Sequence, residues 1–162
     1  MSRFRSLAVL VWLLIAVQPC FADDREKLLG LWKVVSFETE YQGTTERETP
    51  LGKNPTGYNL YTPEGRVWSI MTGEGREAPK TDEDRAKLFK SMFALTGMYR
   101  VEGDKLITKV DVSWNPAWVG TEQVRTFKID GDRLQHISDW MPAVTKPERG
   151  MARGISTLER VK

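Results

Sequence analysis

Along most of the chain, apolar and polar residues alternate in twos, the signature of strands with one face covered and one wet. The clearest instance is Gln123-Val-Arg-Thr-Phe-Lys-Ile, followed by Asp130-Gly131 and then Asp-Arg-Leu-Gln-His-Ile-Ser. Asp-Gly between two runs of β-formers predicts a hairpin with that pair as its loop. Ile129 then faces Asp132, Phe127 faces Leu134, Arg125 faces His136 and Gln123 faces Ser138. Gln123, Arg125, Phe127 and Ile129 share one face, and Leu134, His136, Ser138 and Trp140 share the matching face of the next strand. The apolar residues near the turn point that face inward, and three polar residues, Gln123, Arg125 and His136, go with it.

The same pattern recurs upstream. Met98-Tyr-Arg-Val-Glu-Gly-Asp-Lys-Leu-Ile-Thr repeats the design, with Glu102-Gly103 as the loop and Tyr99 facing Leu106. Strands are predicted at 32–41, 58–61, 67–71 and 155–161, with Thr62-Pro63-Glu64-Gly65 as a turn and 43–56 and 140–150 as loops. From Thr81 the period changes to that of a helix, with Leu88, Phe89, Met92 and Phe93 as its stripe, Thr81 and Asp84 as a capping pair, and Gly97 as the stop. Such a helix either closes over an opening as a lid or braces a barrel by burying its stripe. About eight antiparallel strands with hairpin connections predict an all-β, up-and-down barrel with one helix inserted, a size at which one small ligand fits inside.

The N-terminus does not fit this design. Arg3 and Arg5 precede an apolar run, Leu7 to Val17, and Cys20-Phe21-Ala22 ends in a small residue. The spacing predicts a secretory signal peptide over 1–22, with a single domain over 23–162 that is periplasmic or secreted. Lipid modification of Cys20 is the rival reading, and Val-Gln-Pro before it lacks the small residues a lipidation motif uses. Cleavage after Ala22 removes the only Cys, so the domain has neither a disulfide nor a thiol nucleophile. It also removes two of 24 Lys and Arg, leaving 22 against 22 Asp and Glu, a net charge of zero with His neutral. No charge argument for nucleic acid or an anionic membrane survives, and no transmembrane segment is expected after cleavage.

Four motifs together resemble a known family. Gly30-Leu-Trp-Lys-Val-Val-Ser-Phe-Glu, the stretch from Gly57 to Gly65, Tyr99-Arg-Val-Glu-Gly-Asp, and Asn115-Pro-Ala-Trp-Val-Gly-Thr-Glu-Gln-Val-Arg ahead of Asp130-Gly-Asp-Arg-Leu occur in the order seen in bacterial and fungal lipocalin-like domain proteins. The resemblance covers nearly the whole chain after residue 22. It implies a small barrel that binds a hydrophobic or amphipathic small molecule. Against the lipocalins proper, this chain departs by lacking a disulfide and by placing a helix between strands in its middle.

The candidate chemistry follows from the inward register. An inward Arg125 needs a partner, either an internal carboxylate such as Glu38 or Asp111 or an anionic ligand, because burying the charge alone costs too much. Gln123 beside it presents both a donor and an acceptor. His136 stands alone in the chain, so neither a metal site nor a cofactor is expected. Trp114 and Trp118 either rim the mouth or form a corner packed on the helix, and Tyr99 and Trp140 sit on inward faces as core or cavity wall. Trp32 fills the taper of the closed end. The ligand-contacting set is therefore Gln123, Arg125, His136, Trp114, Trp118, Tyr99 and Trp140. There is no phosphate loop, no nucleophile elbow, no EF-hand and no paired-Cys motif. Three readings stand: an exported carrier whose Gln123, Arg125 and His136 read a carboxylate or carbonyl; a cofactor-free isomerase, cyclase or lyase with His136 as acid/base and Arg125 stabilising an oxyanion; and an envelope module whose interior is packed solid.

Overall fold

Inward and outward residues alternate along strands that close on themselves. The computed structural model describes residues 22–143 and 146–162, so the expected signal segment lies outside the described residues, apart from Ala22. In chain order the elements are α1 (Ala22–Leu28), β1 (Gly30–Tyr41), β2 (Arg47–Glu48), β3 (Thr56–Tyr61), β4 (Arg66–Thr72), α2 (Asp82–Lys90), β5 (Met92–Glu102) and β6 (Lys105–Ser113). A 3-10 turn at Pro116–Trp118 follows, then β7 (Glu122–Asp130), β8 (Arg133–Ser138), β9 (Met141–Pro142), a second 3-10 turn at Pro147–Arg149, and β10 (Met151–Arg160). All pairings are antiparallel. The sheet runs β1-β3-β4-β5-β6-β7-β8-β10 and returns through β1–β10, a closed eight-stranded barrel, with the two-residue β2 and β9 as appendages.

Both hairpins follow the expected design but in another register. Asp130 pairs with Arg133, so the loop is Gly131-Asp132 rather than Asp130-Gly131. Phe127 therefore faces His136 and Arg125 faces Ser138. Likewise Glu102 pairs with Lys105, and Tyr99 faces Thr108 instead of Leu106. Gly131 and Gly103 have φ of 57° and 59°, and among the described residues no non-glycine residue has positive φ. A loop with positive φ only at its first residue matches the type II′ arrangement, which places Gly first; a type I′ turn would force the following Asp into that region as well. A shift of two residues preserves every face, so the inward assignment of Gln123, Arg125 and His136 stands.

The helix is shorter than its pattern suggests. Thr81 caps α2 and its hydroxyl accepts from the Asp84 amide, while the Asp84 carboxylate accepts from the Thr81 amide. The Ser91 amide closes the last turn on the Lys87 and Leu88 carbonyls, so Met92, Phe93 and Gly97 belong to β5 and not to the helix. None of α2 is buried, so it does not brace the barrel through an apolar stripe; its one aromatic, Phe89, stacks on Trp114 at 5.6 Å. Gly97 lies where β5 and β6 change register. A Cβ there would sit 2.1 Å from the Lys109 carbonyl oxygen, so that approach admits only glycine.

The core fills one end of the barrel. Trp32 and Leu28 are fully buried, and the Trp32 indole N–H donates to the Leu28 carbonyl at 2.7 Å. The Arg160 guanidinium lies over the Trp32 ring at 4.2 Å and donates to the carbonyls of Lys27 and Leu29 at 2.6 and 2.8 Å, satisfying acceptors at the end of α1. Tyr61, Val67, Leu106, Phe127, Leu134 and Leu158 complete this packed end. Trp32 thus has the taper-filling place its motif suggests. An extra residue in β1, Val35, flips the alternation so that Phe37, Thr39 and Tyr41 also point inward, beyond the packed end.

Candidate functional site

Above the packed end, the inward positions change from apolar to polar and leave a cavity of about 170 Å³. That space corresponds to roughly six water molecules at about 30 Å³ each, so the interior is not the solid packing an envelope module would have. β3 and β4 contribute Asn59 and Ser69, whose hydroxyl donates to the Asn59 carbonyl oxygen at 2.6 Å. β7 contributes Gln123 and Arg125, and β8 contributes His136. From β3, the Tyr61 hydroxyl reaches across the barrel to within 3.3 Å of His136 Nε2. Gln123 turns its amide nitrogen to the Thr121 hydroxyl at 3.0 Å. Gln123, Arg125 and His136, expected on inward faces, all line this cavity.

Arg125 is the unusual member. The two carboxylates named as its internal partners are engaged elsewhere: Glu38 with Arg47 at 3.0 Å, and Asp111 with Arg66 at 2.8 Å, both outside the barrel. Among the described residues, no carboxylate pairs with Arg125 and no side chain hydrogen-bonds it. Its remaining accessible surface faces the cavity, and loss of water around the guanidinium lowers its pKa, with only the Tyr61 hydroxyl acting against that. A cation so placed stabilises negative charge arriving in the cavity.

His136 is 3 % exposed, and its pKa is pushed down to about 3, first by burial and then by the Arg125 charge. Burial also raises the Tyr61 hydroxyl above its usual range. The pair is therefore uncharged at neutral pH and shares one hydrogen between Oη and Nε2. A base that stays neutral when folded but takes a proton near pH 6.5 when unfolded draws the protein toward unfolding as the pH falls. Stability should drop between pH 6.5 and about 3, by about 1.4 kcal/mol per pH unit from this group. Urea titrations of the protein and of His136→Gln between pH 7 and 5 test this; parallel slopes against pH would refute it.

The mouth is apolar. Trp114 and Trp118 stack at 5.2 Å, Phe93 meets Trp118 at 5.4 Å, and the Trp114 indole donates to the Met92 carbonyl. These rings line the cavity and also carry Phe89 of α2, so the two readings of this corner describe one arrangement. Two expected wall residues lie elsewhere. Tyr99 belongs to the packed end, edge-on to Tyr61 at 5.2 Å with its hydroxyl donating to the Thr62 carbonyl. Trp140 follows the end of β8, where alternation no longer sets its direction, and sits beneath the Arg153 guanidinium at 4.6 Å. Neither lines the cavity.

The family model of the lipocalin-like domain matches residues 29–161. The chain belongs to this family. No curated protein matches it. The lipocalin-like domain and its barrel fit a role in binding a small hydrophobic ligand, and the cavity supplies the space. Sequence reasoning missed Asn59, Ser69 and Tyr61. β3 and β4 carry apolar residues on both faces, Tyr58 and Leu60 beside Tyr61, and Trp68 and Ile70 beside Val67 and Met71, so alternation offered no contrast to mark the inner side. Among the described residues, no group of three His, Cys, Asp or Glu is placed to hold a metal, and no helix is long and apolar enough to cross a membrane.

Proposed function

We propose that this lipocalin-like domain is exported from the cytoplasm, to the periplasm or beyond, and binds a small amphipathic molecule with an anionic or carbonyl head. The carrying observation is the enclosed Arg125 guanidinium, which faces the cavity and has no carboxylate partner among the described residues. A carboxylate head against Arg125 recovers the interaction that burial removed, with Gln123, Asn59 and the Tyr61–His136 pair as hydrogen-bonding neighbours. The apolar body lies toward Phe93, Trp114 and Trp118. Export is supported by Arg3 and Arg5 ahead of Leu7 to Val17 and by Ala22 at the end of the segment.

Binding is favoured over catalysis for a specific reason. A histidine whose pKa lies near 3 is a poor general base at neutral pH, whereas a neutral imidazole beside a guanidinium suits reading a head group. The test is a matched titration of a medium-chain or aryl-substituted carboxylic acid and its methyl ester, followed by the fluorescence of the mouth tryptophans. The acid should bind at least about tenfold more tightly, the minimum for one charge-assisted contact. Equal affinities would end the anionic-head reading.

A further inference from the structure

Four polar side chains cross the barrel as one hydrogen-bonded chain. Asn59 on β3 and Ser69 on β4 are direct partners in the sheet, both buried, and their side chains meet at 2.6 Å. The Asn59 side chain also bonds the Tyr61 hydroxyl, which in turn lies 3.3 Å from His136 Nε2. Such a chain can run in either direction, because a hydroxyl, a primary amide and a neutral imidazole each both donate and accept. Run one way, it leaves the His136 proton on Nδ1; run the other way, on Nε2. The first link decides between them. At 2.6 Å it is too short for an amide N–H and ordinary for a hydroxyl, so Ser69 donates to the Asn59 oxygen. The Asn59 nitrogen is thereby turned to Tyr61 as a donor. Arg125, whose charge acts on Tyr61, can only donate, so among the described residues the Tyr61 proton has one acceptor, Nε2.

We infer, building on the polar head proposed for this cavity, that the chain holds His136 as the Nδ1–H tautomer, so that the imidazole offers a second donor near Arg125 and selects a carboxylate. Among the described residues, Nδ1 has no protein partner, and the one fully enclosed side-chain nitrogen or oxygen without a partner is Arg153 Nε. Nδ1 therefore opens onto the cavity that His136 lines. A head lying against both groups meets N–H from each. A carboxylate, with two acceptor oxygens and a charge, accepts from both at once. A primary amide has to turn its own N–H against one of them, and a donor left unpaired in an enclosed site costs more than a made bond gains. Tyr61 acts on the head through the imidazole and is a positioning residue.

His136 is the only histidine in the chain, so a long-range proton–nitrogen NMR spectrum of the untagged, unliganded protein at pH 7 reads its ring directly. Nε2, the nitrogen coupled to both carbon-bound ring hydrogens, should be the bare one and Nδ1 the protonated one. Protonation at Nε2, or an average over the two, overturns the inference. Tyr61→Phe removes the donor to Nε2 and leaves Nδ1 free to accept from the Arg125 guanidinium, so the proton should move to Nε2. In that variant a medium-chain carboxylic acid should bind about tenfold more weakly, the worth of one charge-assisted hydrogen bond, while the matching primary amide should lose nothing. Equal losses for acid and amide would make Tyr61 plain cavity wall and end its positioning role. Should the variant not fold, the wild-type spectrum decides alone. The two readings fail differently: an acid that binds no better than its methyl ester refutes the anionic head while Nδ1 still carries the proton, whereas Nε2 protonation with the acid preference intact refutes only the tautomer.

Discussion

Replacing Arg125 by methionine is expected to make the unliganded protein more stable and a poorer binder. The guanidinium is desolvated and no carboxylate offsets that cost, so a side chain of similar length without charge relieves it by about 1–2 kcal/mol. The same change removes the charge that holds an anionic head. Two hydrogen bonds to a charged group, at about 1.5 kcal/mol or more each, correspond to a loss of at least about a hundredfold in affinity for the acid. Affinity for the neutral ester should hardly move. The opposite signs are the decisive feature: an arginine that served as structure would lower the melting temperature when removed. Thermal unfolding and the acid–ester titration on one preparation of Arg125→Met read both, and a destabilised variant with unchanged acid affinity would remove Arg125 from the site.

Trp32→Ala should cost a large share of the protein's stability. The indole is fully buried, donates to the Leu28 carbonyl at 2.7 Å and underlies the Arg160 guanidinium at 4.2 Å. Removing a buried tryptophan costs about 3–5 kcal/mol through lost transfer energy and the void left behind, out of a total of about 5–15. The Leu28 carbonyl, left without its donor at a buried helix end, adds to that. Trp32→Phe should recover part of the packing but not the hydrogen bond, and so fall between. Because Trp32 does not line the cavity, the folded fraction of each variant should keep wild-type ligand affinity. Urea unfolding with a loss below about 1 kcal/mol would show that the closed end is held by something other than this stack.

The strands, their hairpins and the closed barrel were legible because inward and outward residues differ in polarity along β7, β8 and the second half of β5. The same contrast put Gln123, Arg125 and His136 inside before any coordinates. It failed where contrast failed. Tyr58, Leu60, Trp68 and Ile70 made both faces of β3 and β4 apolar, and so hid Asn59, Ser69 and Tyr61 from the site. Phe89, Met92 and Phe93 fall at helical spacing by accident of adjacency, since the helix ends at Ser91 and the next strand begins at once.

What the amino-acid order alone determined is local: which residues are extended, where the turns come, and which side chains share a face. These depend on φ, ψ and a two-residue period, all set within a few residues. Distances across the barrel belong to the tertiary structure alone. That Tyr61 reaches His136 from 75 positions away, that Glu38 and Asp111 bind other arginines on the outside and leave Arg125 without a carboxylate, and that Tyr99 and Trp140 miss the cavity all follow from how the closed sheet tilts and where its register slips. No stretch of sequence encodes that closure by itself, because it is the joint result of eight strands satisfying their hydrogen bonds at once.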